Sequence, residues 1–292
     1  MEIRTKVASR REEADCSKLS KFIREKLCFT LLLLLCVFFT SPIIARDSKT
    51  NSSITTTSVG FESGETLLYR IYFKWGFIWK EAANGELFAE RSVYEGKDVY
   101  KMSLACKTLN FVDKIMPVRD TLNAITTLDV QPLFYSKITN EGSYRGKDFL
   151  KYRYDGGKFG GDVRIVRENK ADKLSSVFSE LQPYDMLSVF YYLRYMNLKE
   201  FEMYETVDIP IITKDRLTMM RVKFMGQTIA KLHNGKEYPS YKIYISFPND
   251  KNLDEQDHPI EVWMSNDDRK IPIRMVGKLP IGSLQAEWDD GK

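Results

Sequence analysis

Period-two alternation of apolar and polar residues runs through this chain from Glu65 almost to its end, and it limits the fold more than any other feature. In the first such run Leu67, Tyr69, Ile71, Phe73 and Trp75 fall on one face and Arg70 and Lys74 on the other, the mark of a strand with one buried side. Gly76 interrupts the run. The pattern resumes over Ala82 to Ala89, Tyr100 to Cys106 and Asp120 to Thr127, then over Leu133 to Asn140 and Asp148 to Tyr154, which read as paired across a turn. Asp155-Gly156-Gly157 and Gly160-Gly161 read as turns, and further strands are expected over Thr206 to Ile212, Met219 to Met225, Thr228 to Leu232, Tyr241 to Phe247, Ile260 to Met264, Ile271 to Met275 and Leu284 to Trp288. Pro272 puts its strand at an edge or a bulge. Many short strands joined by turn signals predict antiparallel sheet, curved into a sandwich or an open barrel.

One stretch departs from that period. From Gln182 to Asn197, Met186, Leu187, Val189, Phe190, Leu193 and Met196 recur at spacings of three and four, which predicts an amphipathic helix. Pro183 and Asp185 suit its first turn, and Arg194 and Lys199 its far end. Burying five or six such side chains is worth about 10 kcal/mol before entropy. The helix therefore needs a sheet to lie on, and we expect it at the centre of a mainly β domain.

The N-terminus is of another kind. Leu27 to Ala45 carries no charge and follows a segment rich in Lys and Arg, so residues 1–45 read as a secretory signal peptide, with an uncleaved N-terminal anchor as the alternative. Thr40, Ser41 and Pro42 break the apolar run and favour cleavage. Polar residues 46–60 then form a flexible tether, and residues 61–292 one domain. The formal charge of +4 belongs largely to the signal, which holds 8 of the 44 basic and 5 of the 40 acidic residues; 36 basic and 35 acidic residues remain. A nearly neutral domain gives no support to nucleic-acid binding. Only Cys106 survives removal of the signal, on the apolar face of Tyr100, Met102 and Leu104, where it reads as a small buried hydrophobe.

Three stretches, Phe61-Glu62-Ser63-Gly64-Glu65, Asp185-Met186-Leu187-Ser188 with Arg194, and Trp263 to Pro272 (WMSNDDRKIP), together resemble the exported bacterial proteins grouped as the domain of unknown function DUF3108. The resemblance spans Phe61 to Trp288. It implies an antiparallel β architecture in the periplasm or envelope of a Gram-negative bacterium of the Bacteroidetes type, and it implies no activity. This chain departs from lipoprotein relatives, because neither Cys28 nor Cys36 follows the small residue that lipid attachment requires.

Chemistry is sparse. The two histidines, His233 and His258, adjoin turns, and with one domain cysteine there are no parts for a zinc site or a Cys-His or Ser-His nucleophile. The glycine pairs lie between strands, which excludes a P-loop or dinucleotide fingerprint, and no cofactor is called for. Asp254, Glu255 and Asp257 lack the spacing of a calcium loop. Asp267-Asp268, with Arg269 adjacent, is the most conspicuous carboxylate pair, and tight-turn chemistry accounts for it. Asp185 and Arg194, nine positions apart, cannot pair with each other; we expect Asp185 at the helix start and Arg194 tied to a strand carboxylate such as Glu65. Tyr72, Trp75, Phe77 and Trp79 give the ligand-binding expectation, rings lining a mouth at Gly76 that suits an acyl chain or a sugar face.

The reading is thus of an exported periplasmic or envelope protein, non-catalytic, binding an apolar or glycan ligand or an envelope protein. Its membrane contact would be only through an uncleaved N-terminus. Two rivals are a carboxylate-dependent hydrolase of envelope polysaccharide and a purely structural assembly factor. A hollow between helix and sheet would favour a carrier; a helix that fills it would remove the space.

Overall fold

The computed structural model describes residues 60–247, 259–279 and 282–291. The expected signal and tether, His258 and the acidic residues 254–257 lie outside the described residues. Fourteen strands follow in chain order: β1 (Glu65–Trp75), β2 (Ile78–Tyr94), β3 (Lys97–Thr108), β4 (Arg119–Thr126), β5 (Pro132–Glu141), β6 (Tyr144–Asp155), β7 (Lys158–Arg167), β8 (Lys173–Ser179), β9 (Thr206–Thr213), β10 (Arg216–Lys231), β11 (Glu237–Ser246), β12 (Ile260–Ser265), β13 (Pro272–Lys278) and β14 (Ser283–Asp289). All belong to one antiparallel sheet, ordered β8-β7-β6-β5-β4-β3-β2-β1-β14-β13-β12-β11-β10-β9. Nearly every neighbour in space is a neighbour in sequence. The exception is β1 against β14, which joins the two ends of the chain. The sheet curls into a nearly closed barrel whose end strands are β8 and β9, and an ion pair from Lys173 in β8 to Asp215 in the β9–β10 turn spans the remaining gap.

Alternation decides which way each side chain faces. Leu67, Tyr69 and Ile71 of β1 are buried while Leu68 and Arg70 are exposed. Opposite Ile71 the pattern breaks: Ile71 faces Ala83 but Tyr72 faces Glu81, so Ala82 is an extra residue in β2. Such a bulge bends the strand and turns the side chains beyond it. A second irregularity, at Met225-Gly226, makes one long strand of the stretch in which two were expected. Pro272 stands at a third, opposite Met264 at the start of β13, where its missing N–H breaks no ladder. Gly160-Gly161 is a correction: it lies inside β7, not at a turn. A Cβ on Gly161 would stand 2.1 Å from the carbonyl oxygen of Lys151, and one on Gly160 2.0 Å from that of Val177, so β6, β7 and β8 come together here because side chains are missing.

The chain between β8 and β9 forms the interior. A short helix α1 (Asn110–Asp113) joins β3 to β4, and the central helix α2 (Ser188–Tyr195) is shorter than the Gln182 to Asn197 segment that apolar spacing suggests. Pro183 lies outside it. Tyr184 instead pairs in parallel with the edge of β9, donating to Pro210 O and accepting from Ile212 N, which holds this part of the chain extended. Leu187, Val189, Tyr191, Leu193, Met196 and Leu198 are all at most 2% exposed, so the helix and its flanking turns fill the barrel as its core. No helix among the described residues is long and apolar enough to cross a membrane.

Candidate functional site

Asp185 closes the turn that precedes α2. Its Oδ1 accepts from the N–H groups of Leu187 and Ser188 at 2.9 and 2.8 Å, the Ser188 hydroxyl donates to its Oδ2, and its own N–H donates back to Ser188 Oγ at 3.1 Å. This reciprocal arrangement satisfies N–H groups that a helix start leaves open. Asp185 is thus a cap ahead of α2, not a residue of its first turn. It is wholly buried, and burial pushes its pKa up to about 6 against the pull of those hydrogen bonds. The Tyr152 hydroxyl, 3.5 Å from Oδ2, donates to it from β6.

Arg194, in the last turn of α2, is 2% exposed and fully engaged. Nη1 and Nη2 grip the two Glu65 oxygens at 2.6 and 3.1 Å, Nη2 also donates to Gly60 O, and Nε donates to Arg269 O. Phe61 and Tyr191 offer ring faces to the guanidinium at 5.4 and 5.7 Å. Arg269 adds a contact of 3.0 Å to Glu65. The Arg269 carbonyl is aimed by its turn, where Asp267 Oδ1 accepts from Ser265 Oγ and from the N–H groups of Arg269 and Lys270. Gly60 is wedged in, because a Cβ there would stand 2.8 Å from Arg194 O. Glu65, Arg194, Asp267 and Arg269 therefore meet at one node, Asp185 sits at the other end of the helix, and Asp268 points to solvent with its side chain 93% exposed. Glu65 and the two arginines are ion-paired and Asp267 is hydrogen-bonded, so the chemistry of the node is that of a clamp.

The four aromatic residues divide into two pairs. Tyr72 keeps the outward parity of Leu68 and Arg70, and the bulge turns Trp79 to the same outer face, where their rings lie 5.8 Å apart and His233 stacks on Trp79 at 5.0 Å, 13° from parallel. His233 arrives because the β10–β11 turn folds back over this face: its N–H donates to Glu287, and Lys231 O accepts from Arg274. Trp75 and Phe77 stand at the β1–β2 turn, 41% and 99% exposed. The expectation of one mouth lined by all four is replaced by a stacked patch and a projecting tip. The sequence alone could not place Trp79, because one extra residue in β2 reverses the parity of that strand.

Beside the patch lies a depression of about 690 Å³ on the outer face of β14, β1, β2, β3 and β4. Register builds it: Arg70, Asn84, Lys107 and Arg119 form one cross-strand row, and Leu68, Glu86, Ala105 and Thr121 the next. Ala105 keeps its floor low, and Glu81, opposite Tyr72, joins it to the aromatic patch. Arg70 holds Asp289 at 2.8 Å and lowers that carboxyl below its usual range; Arg119 holds Asp113 at 2.6 Å and brings it down to about 2.

A buried polar group inside the barrel has no counterpart in the sequence reading. Asp120 of β4, Lys137 and Glu141 of β5 and Asp148 of β6 are each at most 8% exposed. Arg167 of β7 reaches Asp148 at 2.5 Å, Asn140 N donates to Asp120, and burial raises the Asp120 pKa. Burial likewise lowers Lys214, which feels both Asp148 and Arg167. Lys137, Thr139 and Glu141 alternate, as residues on a solvated face do, and that is why the pattern hides them. Among the described residues no group of His, Cys, Asp and Glu is placed to hold a metal ion.

Comparison with known proteins bears on the fold. Residues 68–289 match the family described as "Protein of unknown function (DUF3108)". A solved structure, the β-barrel-like protein of domain of unknown function DUF1849 from Brucella abortus, is similar at a TM-score of 0.50 and 8% identity, over 78% of this chain and 96% of that one. At that identity the likeness concerns the fold alone. No curated protein matches the chain.

Proposed function

The chain belongs to the DUF3108 family, and we infer that it is a non-catalytic binding protein of the cell envelope that takes a glycan-like ligand on the outside of its barrel. The observation that carries this is the outer depression beside a stacked aromatic patch, while α2 occupies the interior. Arg70, Asn84, Lys107 and Arg119 supply donors, Glu81, Glu86 and Asp289 supply acceptors, and Tyr72 with Trp79 supplies ring faces. A sugar presents the same mixture, hydroxyl groups around an apolar face. An acyl chain asks instead for an enclosed apolar cavity, and the space such a carrier would use is taken by Leu187, Leu193 and Met196.

At Asp289 the rim favours binding over hydrolysis. A general acid needs a carboxyl whose pKa is raised, and Arg70 lowers that of Asp289. Export is supported by the uncharged stretch Leu27 to Ala45 behind a basic segment.

The test is an amide chemical-shift titration with oligosaccharides released from the envelope of the source organism. Shifts confined to the outer rows of β1 to β4 and to Trp79 are expected. Shifts centred on α2, or none at any concentration, would overturn the reading.

A further inference from the structure

The β1–β2 turn carries apolar surface that the fold does not use. Phe77 is 99% exposed at its apex and Trp75 41% exposed beside it. Gly76, with φ of +55°, makes the sharp reversal that leaves the two rings projecting.

Register brings two other connections to this end of the barrel. Lys74 faces Ser283, just after the β13–β14 turn, and Thr108 faces Ala83 before the chain enters α1, where Phe111 is 43% exposed. Lysines stand at this end: Lys74 and Lys80 flank the turn, Lys114 follows α1, and Lys278 closes β13, all of them exposed. Of the acids on these elements, Asp113 is held by Arg119, and Glu81 is half-buried.

We propose that this end of the barrel docks on an anionic lipid surface, with Phe77 and Trp75 entering the boundary between headgroups and acyl chains. Charge complementarity selects that occupant. Aromatic rings favour this boundary, and long lysine side chains reach from it to lipid phosphates. A socket in a partner protein would have to desolvate four ammonium groups beside two convex rings, whereas a lipid surface leaves them hydrated. The proposal stands apart from the glycan reading, since the depression and the tip are different surfaces.

The full chain, reconstituted into vesicles of phosphatidylcholine with phosphatidylglycerol brominated in the acyl chains, tests it by tryptophan quenching. No tryptophan precedes Trp75, so the N-terminal apolar stretch is silent in this measurement. Quenching is expected in the wild type, and it should vanish in Trp75→Phe, which keeps the apolar ring and removes the reporter. Replacing Lys74 and Lys80 by Ala should lower the docked-to-free ratio roughly fivefold per lysine, and Phe77→Ser should abolish docking; all three positions are exposed, so folding is spared. An unquenched wild type, quenching that persists in Trp75→Phe, or equal quenching in vesicles of phosphatidylcholine alone would overturn the proposal.

Discussion

Arg194 and Glu65, 129 positions apart in the chain, close a two-pronged ion pair inside the barrel at 2.6 and 3.1 Å. The pair ties α2 to the first strand, while the remaining guanidinium donors tie it to Gly60 and to the β12–β13 turn. A helix that lies in the chain between the two end strands is thereby fastened to the start of β1 and to the β12–β13 turn.

Removing one partner leaves the other charge buried. Glu65→Ala should cost about 3–5 kcal/mol in urea unfolding, because the buried Arg194 is left with carbonyl partners only, and Arg194→Ala should cost less, because Arg269 still reaches Glu65 at 3.0 Å. The double replacement Arg194→Met with Glu65→Leu should recover most of that loss. Arg194→Lys keeps the charge but loses the fork and at least one carbonyl contact, and should fall between.

Asp185 predicts a pH dependence of opposite sign to that of the surface carboxylates. Its folded pKa of about 6 lies above the ordinary 3.8, so the folded state holds this proton more tightly. The stability it contributes is present below about pH 4 and is lost as pH rises through 6, an effect of about 3 kcal/mol. Asp113, lowered to about 2, acts the other way: its contribution is present above pH 4 and is lost as pH falls through 2. Asp185→Asn keeps an acceptor for Leu187 and Ser188 without the charge, so its stability relative to wild type should climb between pH 4 and 6. Asp185→Ala should lose about 1–2 kcal/mol at pH 4, for want of a cap. Thermal melts across this range check both.

Neighbouring Asp267 and Asp268 should behave differently. Asp267→Ala removes three hydrogen bonds that shape the turn aiming Arg269 O at Arg194, and should cost about 1–3 kcal/mol. Asp268→Ala, at an exposed position with Lys199 3.9 Å away, should stay within about 0.5 kcal/mol. Unfolding midpoints of the two variants make the comparison.

Gly161→Ala should destabilise by at least about 2 kcal/mol, since its methyl group would meet backbone of β6 and not a side chain free to move. Gly157→Ala, in the β6–β7 turn where only the Tyr154 hydroxyl lies near, should cost about 1 kcal/mol for its φ of +82°. Chemical denaturation separates the two.

The sheet was legible because period two is written in residues such as Leu67, Tyr69 and Ile71, and the family was legible in three motifs. Four residues of those motifs meet at the Arg194 node. What escaped was long-range or depended on one residue of register. Ala82 reverses the parity at Trp79; Tyr184 is held extended by a strand edge 27 positions away. Lys137 and Glu141 alternate as if solvated and face the barrel interior. The depression has no linear signature, because cross-strand pairing alone brings Arg70, Asn84, Lys107 and Arg119 into a row.

A filled interior and an outer ligand site are tested most directly by native mass spectrometry of the protein taken from its own envelope fraction, beside Ala105→Trp. Ala105 faces the floor of the depression and is exposed, so the larger ring blocks the site without entering the core. A bound oligosaccharide on the wild type, absent from a folded Ala105→Trp, is the predicted result. A lipid still bound to Phe77→Ser, or a ligand retained unchanged by Ala105→Trp, would contradict it.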